Sequence, residues 1–265
     1  GDRFTDVGAT AGVASLFGKG LGVVAGDFDL DGDQDIYVAN DGVRNFYYRN
    51  DEQRFKDIAL QNGAAYNGEG GPEAGMGVDA GDYDGDGDLD LFVTNFSRET
   101  NTLYRNDRAA GFKDVSPGTD AANASFNQLG FGTFFFDADN DADLDLYIAN
   151  GHVLDRIQIL EADLRYAQND QLLQNDGQGH YSDISATSGA AFAQALVSRG
   201  AARGDYDNDG DLDVLVNHLN GPAALYRNDR PPGSHWLGLE LKDQAIGAQV
   251  HLTCDDRTQF RVVAT

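Results

Sequence analysis

The stretch Asp82-Tyr-Asp84-Gly-Asp86-Gly-Asp88-Leu-Asp90 places five carboxylates in nine residues. Read as Asp-x-Asp-x-Asp-Gly-x-x-Asp, it lays out oxygen ligands for a hard cation. The aspartates at positions one, three, five and nine supply carboxylates, and position seven adds its backbone carbonyl. Ca²⁺ takes about 6–8 oxygens in a flexible shell, whereas Mg²⁺ sheds water reluctantly and suits an all-protein cage less well. Gly87, at position six, permits the positive φ that so sharp a loop requires. Without a cation the loop is costly. Two carboxylates 4 Å apart repel by roughly 1 kcal/mol even in bulk water.

The loop occurs four times. The other copies are Asp27-Phe-Asp29-Leu-Asp31-Gly-Asp33-Gln-Asp35, Asp137-Ala-Asp139-Asn-Asp141-Ala-Asp143-Leu-Asp145 and Asp205-Tyr-Asp207-Asn-Asp209-Gly-Asp211-Leu-Asp213. Their first aspartates are 55, 55 and 68 residues apart. One such loop reads equally as a solvated acidic turn. Four in register point to about four Ca²⁺ ions. The third copy has Ala142 where the others have glycine. Its turn is expected to be strained and its cation the weakest held.

Position twelve excludes an EF-hand, where it would be a bidentate glutamate. Here it is Val38, Val93, Ile148 or Val216, each inside a β-rich run. The loops are therefore structural calcium loops in a β context.

A period of some 50 residues asks for repeat architecture. In the first repeat a Gly-rich apolar run, Leu21 to Gly26, enters the loop. Asp35 to Asn40, Asn45 to Asn50 and Phe55 to Ile58 follow as short strands separated by turn residues. The second and third repeats read the same way, and the fourth lacks an obvious fourth strand. Four short strands per unit with no helix describe a propeller blade. Phe4-Thr5-Asp6-Val7 matches the fourth strands but precedes any first strand. It is a candidate for closing a four-bladed ring. The favoured expectation is instead an incomplete propeller whose open faces are covered by further blades or another subunit.

The third repeat carries 13 extra residues between His152 and Asp170. Leu154, Ile157, Leu160 and Leu164 recur there at helical spacing, which predicts a short amphipathic helix. The repeat stops at Pro231-Pro232. Residues 231–265 read as a small β appendage to blades spanning 1–230, with strands expected at Trp236–Leu241, Ala248–Leu252 and Gln259–Val263.

Formal net charge is 19 − 44 = −25. Four Ca²⁺ would leave −25 + 8 = −17, which disfavours nucleic acid and anionic membrane as partners. Aromatic content argues for a folded domain and against acidic disorder. The lone Cys254 allows no internal disulfide. No apolar run reaches the length of a membrane helix, so no membrane insertion is expected. The start Gly-Asp-Arg-Phe is no signal peptide and reads as a mature or trimmed chain. Untuned calcium sites fill at millimolar Ca²⁺ and stay empty in the cytosol, which places the chain outside the cell, at its surface or in the periplasm.

These loops, with their Gly-rich entering strands, resemble FG-GAP and VCBS repeats, the blade type of integrin α-chain propellers. The fuller resemblance is to the cartilage acidic protein type. It is carried by Asn45 to Asn50, by Gly75 to Asp84 and by Asn150-Gly151-His152-Val153. His235-Trp236-Leu237 with Ala245-Ile246-Gly247-Ala248 is similar to the opening of an ASPIC/UnbV domain. The resemblance implies an all-β fold, an incomplete portion of a propeller of about seven blades. It also implies secretion, calcium and an adhesive or scaffolding role toward a protein or glycan, and it implies no reaction.

Nothing in the sequence singles out catalysis. No nucleophile elbow, phosphate loop or dinucleotide fingerprint is present. The five histidines show no metal spacing. His152 and His218 follow the second strands of their blades and are the candidates for a partner-binding rim. The rival class is a polysaccharide-active glycosidase or lyase. It would need an acid/base pair outside the calcium loops. Arg49, Arg105 and Arg227 recur as Arg-Asn-Asp, with Gln174 in the third repeat, and read as structural hydrogen-bonding residues.

Overall fold

The computed structural model describes residues 3–229, 236–239, 241, 247–254 and 257–263. The chain is all-β, built as four propeller blades, each an antiparallel meander. The first blade is β1 (Gly20–Gly26), β2 (Asp35–Asn40), β3 (Phe46–Asp51) and β4 (Arg54–Asp57). The second is β5 (Val78–Gly81), β6 (Asp90–Val93), β7 (Thr102–Asn106) and β8 (Phe112–Asp114). The third is β9 (Gly130–Phe136), β10 (Asp145–Asn150), β11 (Gln171–Asn175) and β12 (Tyr181–Asp183). Among the described residues the fourth has three strands, β13 (Ser198–Gly204), β14 (Asp213–His218) and β15 (Ala224–Tyr226). A separate hairpin follows, β16 (Gln249–Cys254) with β17 (Arg257–Val262).

Each acidic loop is the turn between the first two strands of its blade. The pairs Gly26↔Asp35, Gly81↔Asp90, Phe136↔Asp145 and Gly204↔Asp213 close it in identical register. The ninth residue of every loop thus opens the second strand.

Successive blades share their cores. Phe28, Tyr47 and Phe112 meet edge to face at 5.7–6.0 Å between blades one and two, each contact worth about 0.5–1.5 kcal/mol beyond burial. Phe92, Phe135 and Leu146 join blades two and three. Phe134, Tyr147 and Val216 join blades three and four. The run Phe134-Phe135-Phe136 feeds both of the last two cores, since alternate side chains face opposite sides.

No buried cluster among the described residues joins the fourth blade to the first. Phe4 is fully exposed, and Phe4–Val7 adds no strand beside β15. The four-bladed ring considered from the sequence is not closed by that segment.

Two further expectations are corrected. The insertion forms one helical turn, Ile157–Leu160. Ile157 and Leu164 are buried, but Leu154 and Leu160 are exposed, so the four do not share one apolar face. Arg98, paired with Glu161 and Asp163, ties the insertion to the second blade. The described residues of Trp236–Leu241 form no strand, and the Trp236 ring lies against Gly210 of the fourth loop. His235, Ala245 and Ile246 lie outside the described residues.

Inner strands approach at glycines. A Cβ on Gly22 would stand 2.7 Å from the Met76 carbonyl oxygen, and one on Gly132 2.6 Å from the Ala201 nitrogen. One on Gly77 would overlap the Phe131 carbonyl. Gly200 holds the same place in the fourth blade and would meet only the Asn217 side chain, at 3.3 Å. Gly77→Ala and Gly132→Ala are therefore expected to cost about 1–3 kcal/mol in a denaturant melt. Gly200→Ala is expected to stay within about 0.5 kcal/mol. Equal losses at all three would refute this account of blade spacing.

Candidate metal centres

The loops fold onto their own aspartates. The position-one carboxylate accepts from the amides of positions five and six: Asp27 from Asp31 and Gly32, Asp82 from Asp86 and Gly87, Asp137 from Asp141 and Ala142, Asp205 from Asp209 and Gly210, all at 2.9–3.1 Å. Position five accepts from the amide of position seven, as Asp86 does from Asp88 at 3.0 Å.

Position nine anchors the cage to the sheet. Asp35, Asp90, Asp145 and Asp213 are almost wholly buried. Each accepts from the position-two amide with one oxygen and from an asparagine amide ending the third strand with the other. Those residues are Asn50, Asn106, Asn175 and Asn228. Their side chains reach further. Asn106 donates to the Phe28 carbonyl, Asn175 to that of Tyr83 and Asn228 to that of Ala138, each 2.8 Å away on the preceding blade's loop. This staple was not foreseen, although the repeated Asn-Asp after the third strand was its signal.

Carboxylate oxygens from Asp27, Asp29 and Asp31 converge within 4.8 Å of one another, as do those of Asp82, Asp84 and Asp86. Asp137, Asp139 and Asp145 converge likewise, as do Asp205, Asp207 and Asp213. Positions one, three, five and nine thus recur, and position seven does not. Asp33 accepts from the Glu52 amide, Asp88 pairs with Arg108, and Asp211 accepts from Asn140. Those three carboxylates are turned to other partners.

The donor set fits a hard cation, because every converging group is an oxygen. Asp84 Oδ1 and Asp139 Oδ1 are buried and have no hydrogen-bond partner. Leaving a buried acceptor unmatched costs about 1–3 kcal/mol, and a cation in the cage would satisfy both. Bound Ca²⁺ would supply charge neutralisation and cross-linking of the loop. The residues holding it would be the aspartates at positions one, three, five and nine.

Two loop positions adopt left-handed backbone. Position six does so with Gly32, Gly87, Ala142 (φ 84°) and Gly210. Position four also does, with Leu30 (φ 60°), Gly85, Asn140 and Asn208. Sequence reading found only the former. Because Asp137 itself closes the third turn, the strain at Ala142 falls on folding. Ala142→Gly and Leu30→Asn are each expected to raise thermal stability, by about 0.5–1 kcal/mol. A loss on both would count against strained turns.

Burial pushes Asp90 up to about 9, Asp145 up to about 7, and Asp35 and Asp82 up to about 6, against the pull of their backbone donors. In the cation-free protein these groups hold protons more tightly folded than unfolded. Their contribution to stability is complete below their ordinary value and is lost as pH rises through 6 and above. A cation must displace those protons. In EDTA the melting temperature should therefore climb between pH 8 and pH 5.5. Calcium affinity, measured calorimetrically, should fall over the same interval. A chelated protein that melts lower at pH 5.5 than at pH 8 would contradict this.

The rim candidates fall elsewhere. His152 is fully buried. Its Nδ1 accepts from the Leu154 amide at 3.0 Å, its Nε2 meets Ser97 Oγ at 3.2 Å, and its ring packs edge-on to Phe96. Both nitrogens are committed, so His152 offers nothing to a partner. His218 is also buried, with Nδ1 donating to the Pro222 carbonyl at 2.8 Å. A cavity of about 680 Å³ lies between the inner strands, where Arg203 pairs with Asp79 across 2.9 Å.

Residues 27–93 and 82–148 match the model of the FG-GAP-like repeat. These two overlapping stretches, which hold the first three loops, are thus similar to such repeats. It is similar to cartilage acidic protein 1 of Mus musculus and of Homo sapiens, 26% identical to each over 224 residues, or 79% of this chain and 32% of each relative. It therefore spans about a third of their length. A solved structure of an Agrocybe aegerita lectin, described as recognising non-reducing terminal N-acetylglucosamine, aligns over 86% of this chain and 68% of its own, at 16% identity and a TM-score of 0.37.

Proposed function

We propose that this chain is a calcium-stabilised extracellular β-propeller module for protein or glycan binding or for assembly, and not an enzyme. The observation that carries the reading is the pair of partnerless buried oxygens, Asp84 Oδ1 and Asp139 Oδ1, inside in-register carboxylate cages. The cages explain the paired carboxylates without an acid/base role. The relative named for cartilage supports an extracellular setting. Further blades or another subunit are the proposed neighbours of the open blade faces. Residues 231–265 are proposed to open an ASPIC/UnbV-like segment after blades spanning 1–230.

Calcium is expected to hold the fold. With a Kd of about 0.1 mM and roughly 2 mM Ca²⁺, each filled cage adds about 1.8 kcal/mol by mass action. EDTA should lower the melting temperature by many degrees, and Ca²⁺ should restore it where Mg²⁺ does not. An unchanged melt in EDTA would sink the calcium reading. Turnover of a polysaccharide, lost on mutating a carboxylate outside the loops, would overturn the non-enzyme reading.

A further inference from the structure

The third-strand residue beside each cage differs in only one blade. Arg49, Arg105 and Arg227 each pair with the aspartate two residues on, at 2.6–2.9 Å. Each also faces the position-three aspartate of its own loop. Arg227 Nη1 stands 3.9 Å from Asp207 Oδ2. Arg49 and Arg105 act on Asp29 and Asp84 through their charge. In the third blade Gln174 Nε2 donates to Asp139 Oδ2 at 2.8 Å. The other Asp139 oxygen is the partnerless one.

Gln174 holds the position-three carboxylate by a hydrogen bond, whereas each arginine brings a positive charge near a site that would bind a cation. Loop two faces a second guanidinium, since Arg108 pairs with Asp88. Arg261, from the hairpin, lies toward loop three: it donates to the Ala142 carbonyl at 2.9 Å and faces Asp137 and Asp143 there, as well as Asp82 of loop two. Loop three alone has a neutral orienting donor from its own blade.

From this geometry we infer that Gln174 lets the third loop hold a divalent cation more tightly than the arginine of the other blades would at that place. It does so by positioning Asp139 without opposing the ion. The inference rests on the calcium reading and deepens it. A unit charge held against Ca²⁺ at the edge of a partly solvated loop corresponds to about a tenfold change in affinity.

The test is calorimetric Ca²⁺ titration of the full chain and its variants, in dilute and in concentrated salt. Asp139→Asn should abolish the loop-three transition, and Asp84→Asn should spare it. Gln174→Arg should weaken that transition about tenfold and leave the melting temperature in EDTA nearly unchanged, since three blades already accept arginine there. Arg105→Gln should tighten loop two about tenfold. Concentrated salt should shrink both differences, because exposed charges are screened, whereas a purely structural role would survive it. Unchanged affinity in Gln174→Arg, or a difference that persists in salt, would overturn the inference. Absence of any Ca²⁺ binding by the unmodified chain would instead remove the calcium reading.

Discussion

Burying like charges is the constraint on which the rest of this molecule depends. Each blade opens its second strand with an aspartate almost out of water, which is unfavourable unless its charge is met. Two backbone amides meet part of it, one from the loop and one from the end of the third strand. The asparagine carrying the second amide also reaches the preceding blade. The cage, the sheet beneath it and the interface beside it therefore share one residue. A cage that loses its charge balance disturbs two blades together, and coupling passes from neighbour to neighbour as in other repeat proteins.

The staple also shows what the end blades lack. Among the described residues the Asn50 side-chain amide donates to the Gln34 carbonyl of its own loop, where its counterparts reach across an interface. A Cβ on Gly200 would meet only the Asn217 side chain, where those on Gly22, Gly77 and Gly132 would meet backbone. Leu215 on β14 is 50% exposed, where the corresponding Phe92 and Tyr147 are buried, and Val23 on β1 is 68% exposed, where the corresponding Thr133 is buried. The faces of the first and fourth blades are thus built to the same pattern as the buried ones.

Legibility followed sequence distance. The loops were readable because all five aspartates and the turn residue lie within nine positions and recur in register. The strands were readable from short apolar runs between turns. The left-handed position four escaped because Leu30 is an unlikely residue to carry it, and only the backbone reveals that it does. His152 misled because its burial comes from Phe96 and Ser97, on the preceding blade and 55 residues away in the case of Ser97. Helical spacing in the insertion misled because Ile157 and Leu164 find burial without one continuous helix.

The hairpin extends the same electrostatics to the propeller axis. Phe260 is buried in the core shared by the first two blades. Beside it, Arg261 donates to the Ala142 carbonyl at 2.9 Å and to the Phe260 carbonyl at 2.8 Å. Burial lowers the pKa of its guanidinium, yet an arginine in a protein stays charged. Its desolvation must therefore be offset by the carboxylates it faces, Asp137, Asp82 and Asp143. Those same groups belong to two cages. A divalent ion entering either cage draws on the negative charge that holds Arg261, so hairpin docking and cation binding oppose each other to the extent that they share it. By linkage the penalty is reciprocal. The Ala142 carbonyl works the other way, since the bond from Arg261 braces the strained turn that shapes loop three.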